Sequence, residues 1–199
     1  MIPLVILRHG PTAWNAEKRI QGRSDIALSD AGRDVVGNWY LEPAFRDFDC
    51  VVSPLVRARE TARILGLEPV RVEPQLIEMN WGDWEGLRLP DLRAELGIEM
   101  LENEKRGLDF RPPGGESPRD IQVRLGGWLR QLRQPTAAVS HKGVIRALYA
   151  LACNWDMRDD PPEKLRDGTA HCFLIDHNGI PSVERLNISL MKPVQDVQT

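Results

Sequence analysis

Leu4-Val5-Ile6-Leu7-Arg8-His9-Gly10 is the stretch on which the reading of the fold turns. With Ile2 and Pro3 before it, the apolar run is short and rich in β-branched residues. That composition reads as a strand buried in a parallel sheet, and the glycine after it permits a tight turn. In an open α/β sheet, ligands bind in the crevice beyond the carboxyl ends of the strands. An arginine and a histidine emerging at such an end are placed for chemistry rather than packing, and a cation beside a nitrogen nucleophile suggests a phosphoryl group.

Working outward, strand-like and helix-like segments alternate, which predicts an α/β architecture with a largely parallel sheet. Ser29 can cap a helix with the apolar face Val35, Val36, Trp39 and Tyr40, ended by Pro43. Asp49 to Ser53 reads as a second strand. Pro54 then opens a helix carrying Leu55, Ala58, Ala62 and Leu65, stopped by Gly66. A short strand is expected around Pro69 to Val72. Ser117 is a good cap, with Pro118 at the first helical position, for a helix through Ile121, Leu125, Trp128, Leu129 and Leu132. Thr136 to Ser140 is another buried strand, followed by a helix from Gly143 to Cys153. Cys172 to Ile175 and Ile180 to Val183 flank Asn178-Gly179, a hairpin signal that predicts an antiparallel edge pair.

Residues 87–116 break this rhythm. The segment is dense in charge and ends in Pro112-Pro113-Gly114-Gly115, so it reads as an inserted cap or lid, or as a solvated helical face with a loop. The 199 residues suit one domain with such an insertion, and two complete domains would be cramped. A net charge of −3 gives no broad basic surface for nucleic acid. Cys50, Cys153 and Cys172 are widely separated in apolar surroundings, which predicts neither disulfides nor a metal centre and fits a reducing, cytoplasmic setting. No leader-like start and no apolar run of membrane-spanning length is visible, so secretion and membrane insertion are not expected.

Three strands end in polar residues of one chemical kind. Arg8-His9 follows the first, Ser53 to Arg57 the second, and Ser140-His141 the fourth. In a parallel sheet these ends share one edge and can converge. Two arginine forks and the helix starts near Pro54 and Lys142 would bind phosphate oxygens. Positive neighbours would keep His9 neutral and nucleophilic, and a phosphoramidate on histidine is labile enough for water to cleave. Arg8, Arg57 and His141 would stabilise the charge of the transition state. An acid is also needed for the leaving group, and by residue type Glu78, Asp83 and Glu85 are all candidates.

Several of these residues have plainer readings. Arg57 has a rival in Arg59, and either could pair with Glu60 on a helix surface. Thr12 and Asn15 suit turn and capping roles as well as a site, Gln21 suits a loop, and Glu116 a structural place before a helix cap. His171 and His177 look structural, and Trp81, Trp84, Trp128 and Trp155 read as core or lid packing. Four histidines without HExxH or paired CxxC spacing do not suggest a metal site.

At these residues the chain resembles the histidine phosphatase superfamily, also called the phosphoglycerate mutase-like family. The resemblance runs through LRHGPTAWN, QGRSDIALSDAG at 21–32, SPLVRARETA at 53–62, Glu78 to Gly86, PPGGES at 112–117 and SHKGVIRAL at 140–148. It implies a three-layer α/β/α sandwich, no metal or other cofactor, and a phosphohistidine intermediate on His9. By position, Arg8, Asn15, Arg57 and His141 match the family's phosphate pocket and Glu78 its proton donor, which separates Glu78 from Asp83 and Glu85. Thr12 matches a frequent secondary contact, and Gln21 lies where some members touch substrate. Pro11 and Lys142 depart from the pattern: Pro11 removes an amide donor, and Lys142 adds a cation near the pocket mouth.

Family mutases and phosphatases share the pocket. Mutases resembling this chain are longer and carry an arginine pair in the insertion. Here the only adjacent cationic pair in that segment is Lys105-Arg106, so the resemblance implies a phosphomonoester hydrolase acting on a small phosphorylated substrate. A cofactor-dependent mutase and a non-catalytic phosphate-binding module are the alternatives. Arg88, Arg93 and Arg111 are the candidate specificity residues of the insertion.

Overall fold

Strand β1 (Ile2–Arg8) lies inside a six-stranded sheet in the computed structural model, which describes residues 1–67 and 70–191. The other strands are β2 (Asp49–Val52), β3 (Val70–Val72), β4 (Thr136–Ser140), β5 (Thr169–Ile175) and β6 (Pro181–Ser189), in the order β3-β2-β4-β1-β5-β6. The first four of that order pair in parallel, β5 runs antiparallel to β1, and β6 antiparallel to β5. The helices are α1 (Ala13–Ala16), α2 (Asp30–Gly37), α3 (Pro43–Arg46), α4 (Val56–Ile64), α5 (Leu89–Leu96), α6 (Ile98–Glu104), α7 (Pro118–Leu129) and α8 (Lys142–Cys153).

Leu4, Val5, Ile6 and Leu7 are all fully buried because the sheet is covered on both faces. Leu4 and Ile6 join Val51 and Ala138 in one core with the buried residues of α7 and α8. Val5 and Leu7 point the other way, into a second core with Val52, Val139 and the buried residues of α2, α3 and α4. The two-residue period of a strand thus divides one apolar run between two cores and makes three layers.

Ser117 caps α7 as its sequence predicts: its hydroxyl accepts the Asp120 N–H at 3.2 Å while the Asp120 carboxylate accepts the Ser117 N–H at 2.9 Å. Ile121, Leu125, Trp128 and Leu129 form the buried stripe, and Leu132 lies buried beyond the helix end. The α2 expectation is corrected. The helix stops at Gly37, Val35 is exposed, and Trp39 and Tyr40 lie on an extended segment tied to Leu190 and Met191. Pro43 opens α3 rather than ending α2, since a proline nitrogen loses nothing at a first helical turn. Pro54 likewise precedes its helix, which starts at Val56 with Leu55 as the cap. Strand β3 fills Val70–Val72, and Pro69 lies outside the described residues.

The terminal hairpin is longer than its sequence suggests, and Asp176 organises its turn by accepting from the N–H groups of Asn178 and Ile180, both at 2.8 Å. Residues 87–116 form α5, α6 and a 3₁₀ turn at Gly107–Asp109, and they hold a small core of their own: Trp84, Leu92 and Met100, with Trp81 and Phe110 against it. Cys50, Cys153 and Cys172 are all free thiols. Among the described residues no helix is long and apolar enough to cross a membrane.

His171 on β5 is buried, and its Nδ1 accepts the Asn187 N–H at 3.2 Å, so the ring is neutral. Burial lowers its pKa from 6.5 to about 4. The unfolded chain therefore takes up this proton first, and the stability contribution is complete above 6.5 and is lost as pH falls toward 4. The span corresponds to roughly 3 kcal/mol. Urea titrations at pH 7 and pH 5 should show a falling midpoint, and the fall should be shallower in His171→Gln.

Candidate active site

Parallel pairing brings the three strand ends together. Arg8 lies opposite Ser140 in the register, and the His9 N–H donates to the Ser140 carbonyl at 3.0 Å. On the far side of β4, the Ser53 N–H donates to the Val139 carbonyl at 3.0 Å. Residues separated by well over a hundred positions thus become neighbours, and the His9 and His141 rings lie with centroids 5.1 Å apart.

His9 is buried, and its Nδ1 lies 2.7 Å from the Gly10 carbonyl oxygen. A carbonyl can only accept, so Nδ1 carries the proton and Nε2 holds a free lone pair. Burial, then the charges of Arg8 and Arg57, hold the pKa well below 6.5 and keep the ring neutral. The loop is fixed behind it: the Gly10 N–H donates to the Thr61 hydroxyl at 2.9 Å, which itself donates to the Arg57 carbonyl at 2.7 Å.

Arg57 is fully buried, with Nη1 donating to the Ser24 carbonyl at 2.8 Å and Nη2 to the Gly22 carbonyl at 2.7 Å. Gly22 reaches this position with φ of +52°, a region side chains avoid, and a Cβ there would strike Glu85. The second guanidinium, Arg8, donates from Nη1 to Asp167 at 2.7 Å. The Nε of each arginine is buried without a partner, as is Nδ1 of His141, whose Nε2 lies 2.6 Å from the Ser53 hydroxyl. Buried polar atoms are rarely left unpaired, so these three nitrogens, on residues whose charge or ring acts on His9, are candidate donors to an oxyanion.

Glu78 completes the group. Its Oε1 accepts the Met79 N–H at 2.8 Å and its Oε2 the Gly143 N–H at 3.3 Å. Burial raises its pKa above the ordinary 4.5, against the lowering effect of those two bonds and of Arg57 and Arg8. Gly143 permits the approach, since a Cβ there would fall 2.5 Å from Oε1.

A cavity of about 610 Å³ opens over these residues, and Arg8, His9, Asn15, Arg57 and Glu78 all line it. The Asn15 carbonyl oxygen accepts from the Thr12 N–H at 2.9 Å and from its hydroxyl at 3.1 Å, which leaves the Asn15 amide NH₂ as a donor. Thr12 does not line the cavity: it is buried, it caps α1, and its hydroxyl oxygen also lies 3.0 Å from Gln21 Oε1, so its one proton is shared between Asn15 and Gln21. His141 is covered by its neighbours, and Gln21 lines the wall.

The structure separates the other candidates. Glu85 accepts from the backbone N–H groups of Arg23, Ser24 and Trp81, Asp83 is exposed, and neither lines the cavity. Arg59 is exposed, while Glu60 pairs with Arg33. From the helical excursion Leu89, Arg93, Glu104, Gly107 and Phe110 reach the cavity, and Arg93 is held by Glu104 at 2.6 Å. Arg88 and Arg111 do not line it, and Arg111 is tied to Asp120. Lys105 and Arg106 do not line it either. Sequence reasoning missed Arg19, Arg146 and Met157; the spacing of Arg146 four residues after Lys142 was the available signal for one of them. Among the described residues no group of three or more His, Cys, Asp or Glu side chains is placed to hold a metal ion.

A three-layer α/β fold with a neutral, buried histidine between two guanidinium groups at the strand ends defines a phosphoryl-handling class of protein. The profile of the histidine phosphatase superfamily (branch 1) matches residues 4–189, and the chain belongs to that family. It is 36% identical over 135 residues to a 2,3-bisphosphoglycerate-dependent phosphoglycerate mutase of Gloeobacter violaceus, a match spanning 62% of this chain and 60% of that protein. It is 33% identical over 163 residues to phosphoglycerate mutase-like protein 4 of Arabidopsis thaliana, spanning 75% of this chain and 70% of that one. Among solved structures, a mycobacterial glucosyl-3-phosphoglycerate phosphatase superposes with a TM-score of 0.79 at 28% identity, covering 96% of this chain and 100% of the other.

An NMR titration of His9 should find a neutral, Nδ1-protonated ring down to well below pH 6.5. Arg8→Met, which removes one of the two cations beside it, should move that midpoint upward.

Proposed function

We propose that the protein is a metal-independent phosphomonoester hydrolase that works through a phosphohistidine on His9. The observation that carries this reading is the free lone pair of His9 Nε2 together with unpartnered buried nitrogens on its neighbours Arg8, Arg57 and His141. The phosphoryl oxygens supply the acceptors those nitrogens lack. The guanidinium groups take the charge-neutralising role that a metal ion has elsewhere.

In the first step Nε2 attacks phosphorus as the bond to the ester oxygen breaks, and Glu78, whose pKa burial raises, gives that oxygen its proton. In the second step the Glu78 carboxylate takes a proton from water, whose oxygen attacks phosphorus and breaks the P–N bond. Inorganic phosphate leaves, and His9 and Glu78 return to their starting forms. The excursion at 87–116 serves as a cap over the leaving group, through Leu89 and Phe110 on the cavity wall.

Hydrolysis is favoured over mutase chemistry because the cationic pair of the excursion, Lys105-Arg106, stands away from the cavity and Arg93 is neutralised by Glu104. It is favoured over simple binding because a binding site has no need of a buried carboxyl such as Glu78 with its pKa raised. The three free thiols fit a reducing, cytoplasmic setting.

Turnover of p-nitrophenyl phosphate should persist in EDTA and vanish in His9→Ala. In Glu78→Gln, p-nitrophenyl phosphate should still give a stoichiometric burst, since its leaving group needs no proton, followed by slow turnover. An alkyl phosphate should give no burst and lose about 10²–10⁴-fold in rate. Inactivity of the unaltered protein on a broad monoester panel would overturn the hydrolase reading.

A further inference from the structure

The cavity carries cations that the phosphoryl site does not use. Arg19 is paired with Glu17 at 2.7 Å, and Arg93 with Glu104 at 2.6 Å. Arg8 and Arg57 flank His9. Lys142 and Arg146 remain, and both line the cavity. They stand four residues apart on α8, directly after His141, and so lie one turn apart on one face.

Neither is neutralised as the other two are. Arg146 makes no ion pair among the described residues, and its guanidinium lies over the Trp155 ring, 5.3 Å from the centroid. Lys142 stands 3.9 Å from Asp167 Oδ2, and the other oxygen of that carboxylate already holds Arg8 at 2.7 Å. Both cations also line an adjoining recess of about 120 Å³. Five cationic side chains (Arg8, Lys142, Arg146, Lys164 and Arg166) face the single carboxylate of Asp167 there. Closely set like charges raise the local potential for an anion, and a guanidinium braced on an aromatic face is held ready for one.

We propose that Lys142 and Arg146 bind a second anionic group of the substrate, so that the protein selects phosphomonoesters whose organic part is itself negatively charged. With the phosphoryl group at His9, the organic part lies within the cavity these two side chains edge. A neutral substrate leaves the pair hydrated and idle, and a cationic one is repelled. The inference rests on the hydrolase reading for its kinetics but not for its binding.

Three two-carbon phosphomonoesters of similar size test it: phosphoglycolate, 2-hydroxyethyl phosphate and phosphoethanolamine, with tails that are anionic, neutral and cationic. The expected order of kcat/KM is phosphoglycolate, then 2-hydroxyethyl phosphate, then phosphoethanolamine, with at least tenfold between the ends and a narrowing spread as salt rises. Propane-1,3-diol bisphosphate against its monophosphate reports whether a second phosphate serves as well as a carboxylate. The double variant Lys142→Met with Arg146→Met should compress the order to within about threefold, while Arg146→Lys should keep it; thermal melts verify that each variant is folded. A flat series in the unaltered protein, or an unchanged order in the double variant, would overturn the proposal. If no ester is turned over, the same series measured as binding by calorimetry decides it, and the hydrolase reading alone fails.

Discussion

The structure around the site is organised by one imbalance: Arg57 is a guanidinium without access to solvent whose hydrogen bonds go to two backbone carbonyls rather than to a carboxylate. Removing a charge from water is costly unless it is paired, and the carboxyl group that acts most strongly on it, Glu78, is itself biased toward its neutral form. The site is therefore short of one anion. The negative oxygens of a phosphoryl group would restore the balance without a broad basic surface, at a net charge of −3.

Burial sets the protonation of both histidines. Buried, and with Arg57 and Arg8 nearby, His9 and His141 are held neutral. The Gly10 carbonyl then decides which nitrogen of His9 is left bare. Burial, charge and one backbone contact together leave an ordinary imidazole neutral, with Nε2 unprotonated. Glu78 responds to the same burial in the opposite sense, because for a carboxyl the neutral form is the protonated one. Two groups at one site are thus moved apart in the directions that a transfer followed by hydrolysis requires.

Much of this is legible in the chain because parallel strands place their carboxyl ends along one edge. His9, Arg57 and His141 could be grouped from strand ends alone, and the caps at Ser29 and Ser117 from local chemistry. Glu78 could not be separated from Asp83 and Glu85 by residue type. What separates them is that Glu85 is consumed by backbone donors and Asp83 faces solvent, and the family resemblance stood in for that information. Thr12 shows the reverse case: its position suggested a ligand contact, but its hydroxyl is used between Asn15 and Gln21. The end of α2 was misjudged because Trp39 and Tyr40 continue an apolar pattern that the chain satisfies on an extended segment beside Leu190 instead.

The sequence by itself determined the order and type of most main elements and grouped His9 with Arg8 and Arg57 at the strand ends, since apolar period, capping and strand-end position are local properties. Only the tertiary structure decided which acid shares the cavity with His9, which nitrogens lack partners, and which cations of the wall are already neutralised. Those are questions of pairing between distant residues, such as Arg93 with Glu104 or Arg8 with Asp167, and no local pattern records which partner a charge meets when the chain closes on itself.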